Sequence, residues 1–326
     1  MGFGKKAKII MGTLLGSLML FLGSCGKTAP SAPERSETVR SERTQALYEY
    51  LCDCYGRVML SAQQESTWMG SPDYEMDYLQ EVTGRLPAIR GLDFMNDDFD
   101  GVVQRAIEWD ARGGIVTICW HTGVDISGYQ ESKDDLPNFP RLFTEGTPEH
   151  ETLMKSWDRA ATALKQLRDA NVPVLWRPFH EFDGNWFWWS KGGRENFKKL
   201  WQMMYDKFTD EYELDNLIWV LGYSHLMWDG DGWYPGDAYV DIAGSDTYDD
   251  STNVKNYEKL QKFTEKPLAF HECGNVPSVE AFEADGADWL WFMTWHTNYL
   301  TDNDPENLKA VYNSERVITL DEVPAF

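Results

Sequence analysis

Residues 172–189 read VPVLWRPFHEFDGNWFWW, and their order decides the fold. An apolar run, Val172 to Trp176, is interrupted by Arg177-Pro178. Then come a histidine, a carboxylate (Glu181) and, five to eight residues later, Trp186, Trp188 and Trp189. A short apolar run closed by turn residues reads as a buried strand. A strand that delivers a histidine and a glutamate at its C-terminal end, followed by indole, reads as one spoke of an α/β barrel whose active site lies at that end.

Working outward, further strand-like runs appear at Val58–Ala62, Ala88–Phe94, Ile115–Trp120, Leu217–Leu221, Val240–Ser245, Leu268–His271 and Trp289–Thr294, with the central run extending over Val172–Pro178. Segments with helical spacing lie between many of them, at Phe99–Ala111, His150–Ala170, Glu195–Glu211 and Val254–Phe263. Eight strand–helix repeats predict a (β/α)8 barrel, with one catalytic domain over 46–326. A chain of 326 residues accommodates this as a single domain.

The barrel rule turns the sequence into a site. Trp120-His121, His180-Glu181, Tyr223, Asp246 to Tyr248, His271-Glu272 and Trp295 all fall just past a predicted strand. They are expected to share one cleft. Glu181 and Glu272 close the fourth and seventh strands and face each other across the barrel mouth, where long side chains can approach to the ~5–5.5 Å that a retaining glycosidase needs. Arg177 is placed to hold one carboxylate ionised, Tyr248 to donate its hydroxyl to it, and His180 to bond Glu272 or sugar hydroxyls. Trp186 and Trp295 are candidate stacking floors for sugar rings. Trp188, Trp189 and Trp201 read equally as cleft or core.

Other chemistries fit less well. Three histidines beside the two glutamates invite a metal reading, but no His-Glu-x-x-His spacing is present and neighbours along a strand face opposite ways, so a metal is not expected. Gly-x-Ser-x-Gly and phosphate-binding glycine loops are absent from the sequence. No cofactor is required. The formal net charge of −23 disfavours nucleic acid and anionic polymers, whereas a neutral polysaccharide is indifferent to it.

The N-terminus is a targeting segment. Lys5, Lys6 and Lys8 precede an apolar run, Ile9 to Leu22, too short to span a bilayer comfortably, and the run ends Leu22-Gly23-Ser24-Cys25. This resembles a lipoprotein signal, with residues 1–24 removed and Cys25 lipidated. Residues 25–45 then read as anchor and flexible tether, and the expected location is the bacterial cell envelope, on a membrane. Cys52-Asp53-Cys54 is too tight for a usual zinc pair, and Cys119 and Cys273 read as buried thiols.

The motifs together resemble glycoside hydrolase family 26, chiefly bacterial β-mannanases. RPFHEFDGNWFWW and PLAFHECGN carry the resemblance; IVTICWHTG, VDIAGSDTYDD and WFMTW occur in the matching order. It covers 46–326 and implies a retaining (β/α)8 enzyme with Glu181 as acid/base and Glu272 as nucleophile. It further implies that His121, His180, Trp186, Tyr248 and Trp295 line the subsite beside the scissile bond. Trp120, Arg177 and Asp246 complete the expected substrate-binding set. His271 stands where relatives often carry threonine or serine, and His296 where some carry arginine. The expected activity is endo-β-1,4-mannanase, acting as a monomer on mannan, glucomannan or galactomannan. Alternatives are hydrolysis of mixed-linkage β-glucan or β-1,3-xylan, or glycan binding without catalysis.

Overall fold

The computed structural model describes residues 39–227 and 229–326. The expected signal segment, Cys25 and most of the expected tether lie outside the described residues. Eight parallel strands close into a barrel: β1 (Met59–Gln64), β2 (Ile89–Asp93), β3 (Ile115–Cys119), β4 (Val174–Arg177), β5 (Leu217–Tyr223), β6 (Ile242–Thr247), β7 (Leu268–Cys273) and β8 (Trp291–Thr294). Each pairs with the next, and β8 and β2 both pair with β1, which closes the ring. A two-residue strand, β9 (Val317–Ile318), pairs with the start of β1. All eight expected strands are present, with ends moved by a few residues. The helices Phe99–Ala111, Pro148–Asp169, Arg194–Asp206 and Val254–Leu260 occupy the expected inter-strand segments.

Strand residues are almost all buried because both faces are covered. The faces nevertheless alternate. Leu175, Ile218, Val220, Ile242, Ala269 and Met293 fill the barrel interior, while their neighbours Val174, Trp176, Leu217, Trp219, Ala243, Leu268 and Phe292 pack outward against the helices. Following the inward positions toward the strand ends, the interior turns polar at Thr117, Arg177, Asp246 and His271. That change of polarity places the site.

The tether expectation needs correcting at its end. Residues 42–45 open a helix, Glu42–Cys54, with Ser41 as N-cap accepting from the Thr44 N–H. Arg40 is ion-paired with Asp241, Arg43 with Asp110 (2.8 Å), and the Ser41 N–H donates to the Asp215 carbonyl (2.9 Å). Those partners precede β6, β3 and β5, so the helix covers the N-terminal end of the barrel. Leu47, Leu51 and Cys54 extend the inner core there. The polar composition of this stretch concealed the stripe at Leu47, Leu51 and Cys54, which is buried only against the barrel floor.

Candidate active site

A cleft of about 700 Å³ opens at the C-terminal ends of the strands. Glu181, Glu272, His121, His180, Tyr248 and Trp295 line it, as the barrel rule anticipated. At its base lies Arg177, the last residue of β4 and fully buried. Its guanidinium reaches three other strands. Nε donates to Thr117 Oγ1 (3.0 Å), Nη2 to Gln64 Oε1 (3.1 Å), and Nη1 to both Glu272 Oε1 and His271 Nε2 (each 2.9 Å). Guanidinium has no acceptor, so His271 Nε2 must accept, and the proton sits on Nδ1, which donates to Asp246 Oδ1 at 2.6 Å. Burial and the nearby Arg177 push the His271 imidazole well below its ordinary pKa, consistent with this neutral form.

That His271 and Glu272 both reach Arg177 corrects the expectation that strand neighbours diverge. Across β7, Ser245–Thr247 of β6 oppose Phe270–Cys273, and Phe292–Thr294 of β8 oppose the same stretch. Strand β7 therefore carries one extra residue, a bulge that turns His271 and Glu272 to the same side. The bulge brings Asp246, His271 and Glu272 within 4.8 Å of one another, as Asp93, Cys119 and His121 also are. In the first group His271 and Glu272 already hold the Arg177 cation, which disfavours a metal ion there. In the second, burial holds the Cys119 thiol well above its usual range, so it is a poor ligand.

The two glutamates occupy different fields. Glu272 accepts from Arg177 and, at Oε2, from the Tyr248 hydroxyl (2.8 Å). Burial raises its pKa, and these two partners oppose the rise. Glu181 accepts from the Trp186 indole N–H (2.8 Å). Burial, then the charge of Glu272, pushes the Glu181 carboxyl up to about 7, with the Trp186 bond pulling the other way. Of the pair, Glu272 ionises first and Glu181 keeps its proton. Glu181 is also held by its backbone: φ is +51°, in the left-handed region, and its N–H donates to the Gly222 carbonyl (2.7 Å).

Two histidines complete the wall. His180 is buried, its Nδ1 has no partner among the described residues, and burial followed by the His121 charge lowers its pKa well below normal. It makes no bond to Glu272. His121 stands edge-on to it at 4.6 Å, with Nδ1 2.5 Å from Asp93 Oδ2. Burial opposes its charge, but Asp93 outweighs burial and raises the His121 pKa.

Several of the expected site residues lie off the cleft lining. Trp120 is buried behind the cleft, its Nε1 bonded to Ser127 Oγ (2.9 Å), and Tyr223 is buried with its hydroxyl on the Gly230 carbonyl (2.7 Å). Asp246 and Arg177 lie beneath the cleft rather than in its wall. Trp186 meets Glu181 rather than the cleft's main space. Trp188, Trp189 and Trp201 are buried, their indoles donating to the carbonyls of Thr122, His180 and Tyr239. The first two pin the backbone beside His121 and at His180, so they support the site from behind. Sequence reasoning missed Gln64, Glu65, Trp68, Asp93, Tyr129, Phe187, His296 and Tyr299 as lining residues. Asp93 and Gln64 end β2 and β1, so the strand-end rule would have found them; Trp68 and Tyr129 sit on loops with no periodic signal.

Residues 37–322 match the family model described as glycosyl hydrolase family 26. A mannan endo-1,4-beta-mannosidase of Thermothelomyces thermophilus is 34% identical, over 90% of this chain and 66% of that protein. The chain spans between about half and two thirds of the length of the first curated relatives it matches. A ruminal family 26 endo-beta-1,4-mannanase superposes with a TM-score of 0.82 at 31% identity, covering 90% of this chain and 70% of that one. A beta-mannanase from a symbiotic protist of the termite Reticulitermes speratus, complexed with gluco-manno-oligosaccharide, gives 0.80 at 31% identity over 89% and 98%.

Proposed function

Because the chain belongs to glycosyl hydrolase family 26, we propose that it is a retaining endo-β-1,4-mannanase acting on mannan, glucomannan or galactomannan. One observation carries the reading: two buried carboxyls share an aromatic cleft, one held by Arg177 and Tyr248, the other kept protonated near neutrality. In this reading Glu272 attacks the anomeric carbon and Glu181 protonates the departing glycosidic oxygen. The glycosyl-enzyme is then hydrolysed by water that Glu181 deprotonates. Arg177 and Tyr248 keep the nucleophile charged and aimed. His180, whose Nδ1 has no partner among the described residues, and the His121 ring meet sugar hydroxyls beside the scissile bond, and Trp295 supplies an apolar face. The protein acts as a monomer, anchored to the cell envelope through lipid on Cys25.

Mannose carries an axial 2-hydroxyl. A site that hydrogen-bonds it leaves buried polar groups unpaired when the hydroxyl is equatorial. Cleavage of β-1,4-mannan or glucomannan should therefore exceed that of β-glucan or cellulose by roughly tenfold or more. Initial rates of reducing-end release on matched soluble polymers measure this; faster cleavage of β-glucan or xylan would overturn the substrate and leave the carboxyl pair standing.

A further inference from the structure

The carboxylate of Glu75 is fully buried although its helix, Tyr74–Thr83, lies on the outside of the barrel. Among the described residues it has no cationic partner. Instead it accepts from the Ser66 N–H at Oε2 (3.0 Å), from the Ser66 hydroxyl at Oε1 (2.7 Å), and from the Thr297 N–H at Oε1 (2.8 Å). Ser66 belongs to the loop after β1, which carries Trp68. Thr297 belongs to the loop after β8, which carries Trp295 and His296. One buried carboxylate thus ties together two rim loops that follow adjacent strands.

Thr297 shows that the tie has consequences. Its φ of +56° and ψ of −127° lie where a β-branched residue is rarely found. The N–H that this conformation presents is the one that Glu75 receives. Strain at such a position persists only when surrounding contacts enforce it, and Glu75 is the contact in place.

What the two loops hold between them is an aromatic wall. Ring centroids run from His180 to His121 (4.6 Å), to Trp295 (6.2 Å), to His296 (4.9 Å) and to Trp68 (4.7 Å). Exposure rises outward along this row, from 1% at His180 to 52% at Trp68, and Trp68 lines the same cleft as the carboxyls. The His296 ring meets the Trp68 indole edge-on at 84°. Burial, then the His121 charge, lowers the His296 pKa to about 4, so this contact is between uncharged rings. A large exposed indole, fixed edge-on rather than free, offers a flat apolar face to a sugar ring.

We propose that Glu75 is a positioning residue: by joining the loops after β1 and β8 it holds Trp68 against His296 as the outer stacking wall for a mannosyl unit distal to the carboxyl pair. The proposal rests on the β-mannanase reading. It predicts that Glu75 acts on long substrates and acts through Trp68.

The test compares kcat and KM on mannohexaose with those on a dinitrophenyl β-mannoside, which fills only the site beside the reacting bond. The proteins are wild type, Trp68→Ala, Glu75→Gln and the double variant. In Trp68→Ala, kcat/KM on mannohexaose should fall about fivefold more than on the aryl mannoside, mainly through KM, the size of one aromatic contact. Glu75→Gln should move the same ratio in the same direction, and in the Trp68→Ala background it should add nothing. Ser66→Ala, which removes one of the three bonds, carries the test if Glu75→Gln does not fold. An unchanged ratio in Trp68→Ala overturns the wall. Equal effects of Glu75→Gln with and without Trp68 overturn the positioning role. If the wild type cleaves neither mannoside, the mannanase reading falls and takes this proposal with it; if it cleaves both and the ratio does not move, only this proposal falls.

Discussion

Glu181 and Glu272 carry the same functional group, and their neighbours give it different tasks. Glu272 sits against a guanidinium and a phenol, both donors that favour the charged form. Glu181 has an indole and faces the charge of Glu272. Replacing Glu272 by Ala should abolish turnover, and azide should restore cleavage of an activated mannoside with inverted stereochemistry; a variant that keeps most of its activity would refute the nucleophile assignment. Glu181→Ala should lose about 10²–10⁴ on polysaccharide and much less on a leaving group that needs no proton. Equal losses on both substrates would count against the acid. Trp186→Phe tests the field directly. Its N–H favours the ionised Glu181 and so lowers that pKa from where burial and Glu272 would set it. Without the bond the pKa rises, and the alkaline limb of kcat/KM, where the acid loses its proton, should move to higher pH. A limb that stays in place or moves down would show that Trp186 does not tune Glu181.

Among the elements, β7 shows most plainly where sequence reading reaches its limit. Leu268–His271 is legible as an apolar run, and His271-Glu272 as its polar end. The extra residue is not legible, because a bulge is defined by the partners' register rather than by composition. Its accommodation is visible on β6, where a Cβ added at Gly244 would lie 2.6 Å from the Ala269 carbonyl oxygen and 2.8 Å from His271 Cβ. Gly244→Ala should therefore push β7 away and cost about 1–3 kcal/mol, the usual penalty of overpacking. Thermal unfolding measures it; a melt that matches wild type would show that the strands have slack there. The tryptophans after β4 teach the same lesson from the other side. Trp188 and Trp189 lie within the stretch that suggested a sugar platform, yet their indoles bond backbone carbonyls beneath the site. Only Trp186 turns toward a carboxyl. The three are chemically identical in sequence; Trp186 precedes the short helix Trp188–Lys191, capped by Phe187, and the other two lie within it.

For the whole molecule, Arg40 and Ser41 lie against the N-terminal face of the barrel, and the cleft opens at the opposite face. A lipid on Cys25 is the proposed membrane anchor. Cys25→Ala should release the protein into the soluble fraction with its kinetics unchanged; continued sedimentation with membranes would refute the anchor. The sequence by itself determined the eight strands, their order, the glutamates at the ends of the fourth and seventh, and Arg177, His121, His180, Tyr248 and Trp295 nearby. These follow from local apolar runs and from the barrel rule, both written along one dimension. Tertiary structure alone decided that Trp120 and Tyr223 face away and that Asp93 is the partner of His121. It also turned His271 and Glu272 to one side and brought Trp68 and Glu75 to the rim. Those facts depend on register and on loops from distant segments meeting in space, and neither register nor a meeting of loops leaves a period in the chain.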